Sequence, residues 1–403
     1  MHYKGLTLFP QPAPMTDPLP ALAESADRLC RDPAFLEALW RHLTFRDSRG
    51  SPAGLRTGIP PEDQMLRHSL RHWGDANRSV SQYYGVALQQ HDAARQVLAL
   101  AHPGGPEGIT ILDFACGWGR LLRLLTHSVP PSQVWASEIQ PEAVAFVQSQ
   151  FGVASVPSSF EPADFEPGRR FDFIWVASLF SHLPDHLFHR WVARLHALLT
   201  PRGVLCFTVH DECLLPPEIP MPAAGIHFIG SSEIEELDNR AYGTTFVTES
   251  YVRRAIASAT GVPGDRAVRL PRALANEQDL YVVPKDAARD LSALSGFRRG
   301  SWGWVDEIHF SPGGRLRLAG WAATLDEGPA EAVEIRVDGE RFEAPVNAPR
   351  EDVARVLGDA RLATSGWVFE RDVAARRAFV EASARSAHGH RALLYAGWLG
   401  EAA

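Results

Sequence analysis

Short apolar runs alternate with amphipathic segments along the middle of the chain. The runs have the length and composition of buried strands: "TILDFA", "QVWASEI", "VASVPS", "FDFIWVASLF" and "GVLCFTVH". The segments between them, such as "PEAVAFVQSQF" and "PDHLFHRWVARLHALL", carry apolar residues at helical spacing. Strands that alternate with helices are typical of a parallel, doubly wound sheet. We therefore expect an α/β, Rossmann-like domain over residues 106–288.

The two flanking regions have different patterns. Before residue 106, the apolar positions of "PAFLEALWRHL" and of residues 64–101 recur at helical spacing, with expected interruptions at Gly74 and Gly85. Residues 1–105 are therefore predicted to form a helical region. After Pro284, short alternating runs are separated by Gly-Gly, Glu-Gly and Asp-Gly, which are turn sequences between antiparallel strands. We expect an antiparallel β-sandwich over residues 296–403.

A segment rich in proline and glycine interrupts the alternating pattern after the fifth predicted strand: "LLPPEIPMPAAGIHFIGSSEIEELDNRAYG". Long inserts near the carboxyl edge of a sheet often cover a ligand. The insert is followed by a predicted helix, "TESYVRRAIASA", and by a last strand, "DLYVVP".

Composition and charge narrow the class of protein. The 403 residues carry a formal net charge of -8 and have a pI near 6.1, which argues against a nucleic-acid partner. No apolar run is long enough to predict a membrane span. The four cysteines form no CxxC pair, so we expect a cytoplasmic protein with neither a disulfide scaffold nor a metal site.

The stretch "ILDFACGWGRLL" contains the strongest chemical signal. A strand that ends near Asp113 is followed by the glycine turn 116–119, whose glycines let a ligand approach the backbone amides. Glu138 ends the next strand, where a carboxylate can accept hydrogen bonds from both hydroxyls of a ribose. A dinucleotide fingerprint would have a small residue three positions after the second glycine, but Leu122 stands there. The carboxylate of Asp113 favours a cationic ligand over a pyrophosphate.

These features resemble the class I S-adenosylmethionine-dependent methyltransferases, whose first motif reads acid, two residues, small or Cys, Gly, x, Gly. The resemblance covers about Ile109 to Pro284 and implies a Rossmann-like fold with an antiparallel last strand and S-adenosylmethionine as cofactor. Ser159 and Phe160 are the nearest match to the adenine site, and Tyr84 matches an aromatic residue that closes over the cofactor. The cofactor-binding residues implied are Asp113, Ala115, Cys116, Gly117, Gly119, Glu138, Ile139, Ser159, Phe160 and Tyr84.

Absent motifs restrict the methyl acceptor. The segment "VASLFSHLP" lacks the Asn/Asp-Pro-Pro-aromatic element that similar enzymes use on amide or nucleobase nitrogens, and the chain has no Pro-Cys dipeptide for base-carbon methylation. The leading prediction is O-methylation of a sugar, a glycan or a small metabolite. Methylation of an amine or a carboxylate, and a non-catalytic protein that binds glycan or protein, are the alternatives. His182 and His210 follow strands at the carboxyl edge and are the candidate general bases, with simple packing as the alternative for His182.

The C-terminal region contains five tryptophans, at 302, 304, 321, 367 and 398. Tryptophan in a small β domain belongs either to the core or to a surface that stacks on sugars. The segment "APREDVARVLGDARLATSGWVFERDV" resembles a module found beside glycosyltransferases and methyltransferases of surface-glycan pathways. That resemblance implies a glycan or protein partner for this domain.

Overall fold

The computed structural model describes residues 18–43, 51–231, 238–324 and 326–400. Within these ranges, four α-helices precede the central sheet: α1 (Leu19–Cys30), α2 (Pro33–His42), α3 (Gln64–Trp73) and α4 (Ala76–Ala101). The carboxylates of Asp32 and Asp63 cap α2 and α3 by accepting backbone N–H groups of the first turn, and Gly74 ends α3 in a left-handed conformation. The predicted helical region is therefore present.

The predicted interruption at Gly85 is wrong, because α4 runs through it without a break. One glycine costs a helix only about 1 kcal/mol relative to alanine, and the packing of this helix outweighs that cost. A Cβ atom at position 85 would lie 3.2 Å from the carbonyl oxygen of Leu393. The glycine therefore allows α4 to approach a strand of the C-terminal region closely.

The central sheet is parallel and doubly wound over its first five strands, as the alternating pattern predicts. Five strands are parallel in the order β3-β2-β1-β4-β5: β1 (Ile111–Phe114), β2 (Val134–Glu138), β3 (Ala154–Pro157), β4 (Phe171–Val176) and β5 (Leu199–Asp211). The last predicted strand, β9 (Gln278–Pro284), pairs antiparallel with β5, and β8 (Val268–Leu274), which was not predicted, pairs with β9. The strand order changes direction between β1 and β4. Ligands of such sheets bind at this point, beyond the carboxyl ends of the strands.

Helices cover both faces of this sheet: α5 (Leu122–Leu125), α6 (Pro141–Phe151), α7 (Asp185–Ala197) and α8 (Glu249–Thr260). The insert after β5 contains two strands that the sequence did not predict, β6 (Ile226–Ile229) and β7 (Thr244–Val247). β7 pairs with the end of β5 through His210 and Phe246, which extends the sheet at its carboxyl edge. Residues 232–237 of the insert lie outside the described ranges.

Two antiparallel sheets of four strands form the C-terminal region. One contains β10 (Ser301–Phe310), β11 (Arg315–Thr324), β12 (Gly328–Pro329) and β15 (Gly366–Asp372). The other contains β13 (Ala332–Val337), β14 (Glu340–Pro345), β16 (Arg377–Arg385) and β17 (Arg391–Gly400), and α9 (Glu351–Leu357) lies between β14 and β15. Apolar residues of both sheets share one core, among them Leu316, Ile335 and Val380. The predicted fold class, a Rossmann-like sheet followed by a β-sandwich, is confirmed.

The helical region and the sandwich also share a core. Phe379 and Leu393 of the sandwich pack in the same apolar cluster as Phe35 and Tyr84 of the helices. The helical region and the sandwich are therefore not separated by a gap in packing. The division of the chain into domains at residues 106 and 296 stays a prediction.

A buried ion pair joins the same two regions and provides a test of their coupling. The Glu381 side chain is 3% exposed and lies 2.5 Å from Arg41 Nη2 and 3.4 Å from His42 Nε2. Burial raises the pKa of Glu381, but hydrogen bonds from His42 and Arg41 outweigh that effect and leave the pKa below its usual value. Glu381→Gln should lower the free energy of unfolding by about 1–3 kcal/mol, because it removes the buried carboxylate that pairs with Arg41 and contacts His42.

Chemical denaturation at pH 7 measures this effect. Stability from a lowered carboxylate pKa is present above the unfolded pKa and is lost as the pH falls, so the two proteins should converge in acid. Glu370→Gln, in an exposed pair with Arg315, is the matched control and should change little. Equal destabilisation by both substitutions would contradict the assignment.

Candidate cofactor and active site

A cavity of about 210 Å³ opens at the carboxyl ends of β1, β2 and β4. Nine of the twelve residues proposed from the sequence line it: Asp113, Ala115, Cys116, Gly117, Glu138, Ile139, Ser159, Phe160 and His182. Carboxyl ends of parallel strands meet at one edge of a sheet, so residues far apart in the chain converge there. Three of the proposed residues, Gly119, Tyr84 and His210, are not in the lining.

Asp113 contributes an acidic group that lacks a protein partner. Its side chain is 2% exposed, and its Oδ2 atom has no hydrogen bond to any residue that the structure describes. Burial, together with the nearby charge of Glu138, raises the pKa of Asp113 to about 8. A buried carboxylate of this kind is stabilised by a cation. The amino group of an amino-acid cofactor would supply that cation, so the residue fits S-adenosylmethionine.

Glu138 is held rigidly across from the glycine turn. Its Oε2 accepts the backbone N–H of Gly117 at 2.8 Å, and its Oε1 accepts that of Ile139 at 2.7 Å. Burial raises the pKa of Glu138, and these backbone donors partly oppose the rise. Gly117 and Ala115 have positive φ angles of 54° and 56°, which turn the chain sharply between β1 and the next helix. The carboxylate therefore both fixes the turn and faces the cavity.

We expect Glu138→Gln to weaken the binding of S-adenosylmethionine about tenfold, because an amide has one acceptor oxygen and its NH₂ group would meet a backbone donor. Isothermal titration calorimetry measures the change. Glu142→Gln, exposed on the first turn of α6, is the control and should leave affinity unchanged. Equal affinity in the two variants would refute a ribose contact by Glu138.

The helical region forms one wall of the cavity, and two of the residues that it contributes, Asp63 and Gln64, were not predicted from the sequence. Gln64 accepts a hydrogen bond from Trp118 Nε1 at 3.1 Å, and its own amide donates to Gln140 at 3.2 Å. The Tyr83 hydroxyl donates to Asp63 at 2.8 Å. All five side chains line the cavity. The start of α3 and the middle of α4 are therefore connected to the glycine turn.

The structure contradicts the cofactor contact proposed for Tyr84. Its hydroxyl donates to the carbonyl oxygen of Thr57, and the ring is fully buried among the helices. Tyr83, one residue earlier, lines the cavity instead. Adjacent residues point about 100° apart around a helix, so an error of one position moves the side chain to another face.

Gly119 is required for packing. Its φ angle is 78°, and a Cβ atom there would lie 2.6 Å from the ring of Phe151 on α6. The glycine therefore lets the turn pack against that helix. A direct cofactor contact by Gly119 stays a prediction.

His182 lies buried in the cavity wall after β4, and its orientation is well defined. Its Nδ1 donates a hydrogen bond to the carbonyl oxygen of Gly243 at 2.6 Å, because a carbonyl can only accept. The ring stacks on Tyr242 with a centroid distance of 4.6 Å and an interplanar angle of 11°. In the neutral imidazole this tautomer makes Nε2 the basic nitrogen. The insert supplies both contacts, so it positions His182 and contributes Tyr242 to the cavity.

His210 lies behind His182, with 6.1 Å between the ring centroids. Its Nε2 is 3.3 Å from the side-chain nitrogen of Gln278, which also hydrogen-bonds to Ser178 in the cavity wall. A catalytic function for His210 stays a prediction, and direct contact with an acceptor is disfavoured by its position outside the lining.

The third strand leads to an exposed aromatic ring. Phe160 is 55% exposed at the cavity, and Ser159 Oγ accepts the backbone N–H of Glu161 at 3.0 Å. An exposed phenyl ring beside a cavity offers a flat surface for a ligand.

None of the helices in the described ranges combines the length and the apolar character that crossing a membrane requires. Nor do those ranges contain three or more His, Cys, Asp or Glu side chains grouped so that they could hold a metal ion.

The fold and the lining of the cavity agree with the predicted S-adenosylmethionine-dependent methyltransferase domain. Residues 111–203 match a family model described as "Methyltransferase domain", which confirms the predicted enzyme class and cofactor. The matched segment contains Asp113, Glu138 and His182 and lies within the region that resembles class I enzymes.

Solved structures with a similar fold include three methyltransferases. An SAM-bound amino pentose methyltransferase from Micromonospora echinaspora, involved in calicheamicin biosynthesis, has 19% identity, with 49% of this chain and 92% of that chain covered and a TM-score of 0.36. The sugar N-methyltransferase KedS8 from a Streptoalloteichus species has 18% identity, coverage of 48% and 86%, and a TM-score of 0.35. The 1,6-didemethyltoxoflavin-N1-methyltransferase from Burkholderia thailandensis has 19% identity, coverage of 48% and 77%, and a TM-score of 0.32.

Proposed function

We propose that the protein transfers a methyl group from S-adenosylmethionine to a hydroxyl group of a sugar, a glycan or another small metabolite. The observation that carries this proposal is the tautomer of His182. Its Nδ1 donates to Gly243, so Nε2 is the basic nitrogen of the neutral ring, and His182 lines the cavity that also contains Asp113 and Glu138. A hydroxyl must lose a proton on methylation, and a neutral imidazole is suited to accept it.

Different residues of the cavity would bind different parts of S-adenosylmethionine. Asp113 would hold the amino group of the cofactor, and Glu138 would accept hydrogen bonds from the ribose hydroxyls. Ser159 and Phe160 are proposed to contact the adenine. Burial raises the pKa of the Cys116 thiol well above its usual value, so this side chain stays protonated and does not compete as a nucleophile.

The bound cofactor supplies an electrophilic methyl group on a sulfonium, whose sulfur leaves as a neutral thioether. The protein's contribution is to hold the acceptor oxygen in line with that methyl group and to exclude water. Nε2 of His182 would take the proton that the acceptor hydroxyl loses on methylation. Stacking on Tyr242 keeps the imidazole in the orientation that this transfer needs.

The proposed reaction belongs to a reducing compartment, and we place it in the cytoplasm. All four cysteines, Cys30, Cys116, Cys206 and Cys213, are free thiols. Persistent free thiols are typical of cytosolic proteins.

Calorimetry with S-adenosylmethionine and S-adenosylhomocysteine provides the first test, and we expect saturable binding of both. The second test is transfer of a labelled methyl group to neutral sugars, nucleotide-sugars, amines and carboxylates. Label in a base-stable ether supports the proposal. Label in an amine or in a base-labile ester would contradict a hydroxyl acceptor and show that the acceptor is an amine or a carboxylate. Failure to bind either cofactor form would overturn the enzyme function and favour a non-catalytic binding protein.

A further inference from the structure

A second cavity, of about 580 Å³, lies where the helical region, the central sheet and the sandwich meet. It shares no lining residue with the cofactor cavity. One wall comes from α3 and α4, a second from the turn between β8 and β9, and a third from β10, β11 and α9. Its volume lies in the range typical of small-molecule sites. We call it the tryptophan cavity.

Four tryptophans line this cavity. Trp302 and Trp304 alternate along β10 and therefore point to the same face of the sheet, and Trp321 on β11 stands directly opposite Trp304 in the strand register. Trp73, at the end of α3, faces them, with 5.0 Å between its ring centroid and that of Trp304. Trp302, Trp304 and Trp321 are each half-buried. Trp367 of the same sandwich belongs instead to its core.

The aromatic wall is held in place by polar contacts behind it. Trp73 Nε1 donates to Gln82 Oε1 at 2.8 Å, which fixes the indole plane. Arg78 bonds the carbonyl oxygens of Val305 and Asp306 at 3.1 Å and lies 5.8 Å from the Trp73 ring centroid. The Trp73 indole is therefore held against Trp304 before any ligand binds, and preorganisation of this kind lowers the entropic cost of binding.

Asn276 contributes a buried amide oxygen that no described residue satisfies. Its side chain lines the cavity and is only 7% exposed, yet its Oδ1 has no hydrogen-bond partner among the described residues. Buried amide oxygens are nearly always satisfied, because desolvation without a partner is costly. A ligand hydroxyl would supply the missing donor.

The charged residues of the cavity favour a neutral ligand. Arg350 is paired with Asp306 at 2.6 Å and with Asp352 at 2.8 Å, and Arg272 donates to the carbonyl oxygen of Leu357 at 2.9 Å. Both arginines are thus engaged by protein oxygens. With Glu277 also in the lining, acidic residues outnumber basic ones, so an anion would be repelled.

We propose that the tryptophan cavity binds a neutral saccharide containing a pyranose ring. The C–H faces of such a ring are apolar and stack on indoles, while its hydroxyls reach the polar groups at the edges of the cavity. The ring hydroxyls would donate to Asn276 and accept from the arginine side chains. This binding is independent of methyl transfer, since the two cavities have separate linings.

The test measures intrinsic tryptophan fluorescence of the full, cofactor-free chain during titration with maltose, cellobiose, lactose and chitobiose. At least one neutral disaccharide should cause a saturable change. Trp304→Ala and Trp321→Ala should each weaken that binding about tenfold, the scale of one lost stacking contact. Trp135→Ala, on β2 away from this cavity, is the matched control and should bind normally.

Asn276→Gly removes the unpartnered amide without straining the backbone, because glycine accepts the φ angle of 54° at this position. We expect it to weaken binding about threefold or more with an unchanged melting temperature. Unaltered affinity in this variant would overturn the proposal even if the tryptophan variants fail to fold. Absence of saturable binding by every neutral disaccharide, or preference for glucuronic acid or a proline-rich peptide, would also overturn it.

Discussion

Asp113→Asn is expected to weaken the binding of S-adenosylmethionine by about ten- to a hundredfold. A charge-assisted hydrogen bond contributes about 1.5–3 kcal/mol, and an amide cannot provide the negative charge that a cationic amino group needs. Asp113 has an oxygen in the cavity that no described residue satisfies, and we propose that the amino group of the cofactor is its partner. Calorimetry at pH 8 measures the difference directly.

The same residue predicts how cofactor affinity depends on pH. With a pKa of about 8, Asp113 is largely protonated at pH 6, and binding of an ammonium group requires it to lose that proton. Affinity of the wild-type protein should therefore rise between pH 6 and pH 8, with release of up to about one proton measurable in buffers of different ionisation enthalpy. The Asn variant should lack this rise.

In the cofactor-free protein, ionisation of Asp113 lowers stability as the pH rises, whereas it raises cofactor affinity. A carboxylate whose folded pKa is raised contributes stability below its unfolded pKa and loses it as the pH rises through about 8. The melting temperature of Asp113→Asn relative to wild type should therefore increase from pH 5 to pH 9. Asp164→Asn, an exposed acid in the same region, is the control for both measurements. Wild-type cofactor affinity in Asp113→Asn would refute the assignment.

His182→Ala is expected to lower kcat by about 10²- to 10⁴-fold, the usual contribution of a positioned general base. Cofactor affinity should change little, because Asp113 and Glu138 are expected to carry that binding. Initial rates at saturating cofactor and acceptor measure the loss. His186→Ala, at an exposed position on α7, is the matched control and should keep full activity.

The pH dependence of activity in His182→Ala also distinguishes an amine acceptor from a hydroxyl acceptor. An amine acceptor loses its proton in solution at high pH, so His182→Ala would recover most of its activity there. A hydroxyl acceptor would give no such recovery. An unchanged kcat at all pH values would show that His182 only packs against Tyr242.

Sequence alone predicted the part of the site that depends on local pattern. Asp113 and Glu138 stand at the ends of adjacent strands, and the alternation of strands and helices is enough to place such residues at one edge. The wall formed by Asp63, Gln64 and Tyr83 depends on how a separate helical region docks, for which the sequence has no periodic signal. The strands β6 and β8 were missed for a related reason, since prolines and polar residues obscure their alternation.

The sequence also could not predict what the tryptophans of the sandwich face. Alternation along β10 predicts that Trp302 and Trp304 share a face, but it does not say whether that face meets solvent, a core or another domain. Their position in a cavity depends on contacts with α3 and with the turn after β8, far away in the chain.

The shared core of α4 and β17 couples the helical region to the sandwich. Removing the sandwich would expose the apolar side of the helices, including Phe35 and Leu39, to water. The wall of the cofactor cavity that holds Tyr83 belongs to those same helices. We therefore expect loss of the last strand to reach the cofactor cavity through unfolding of that wall, although no described residue of the sandwich lines the cavity.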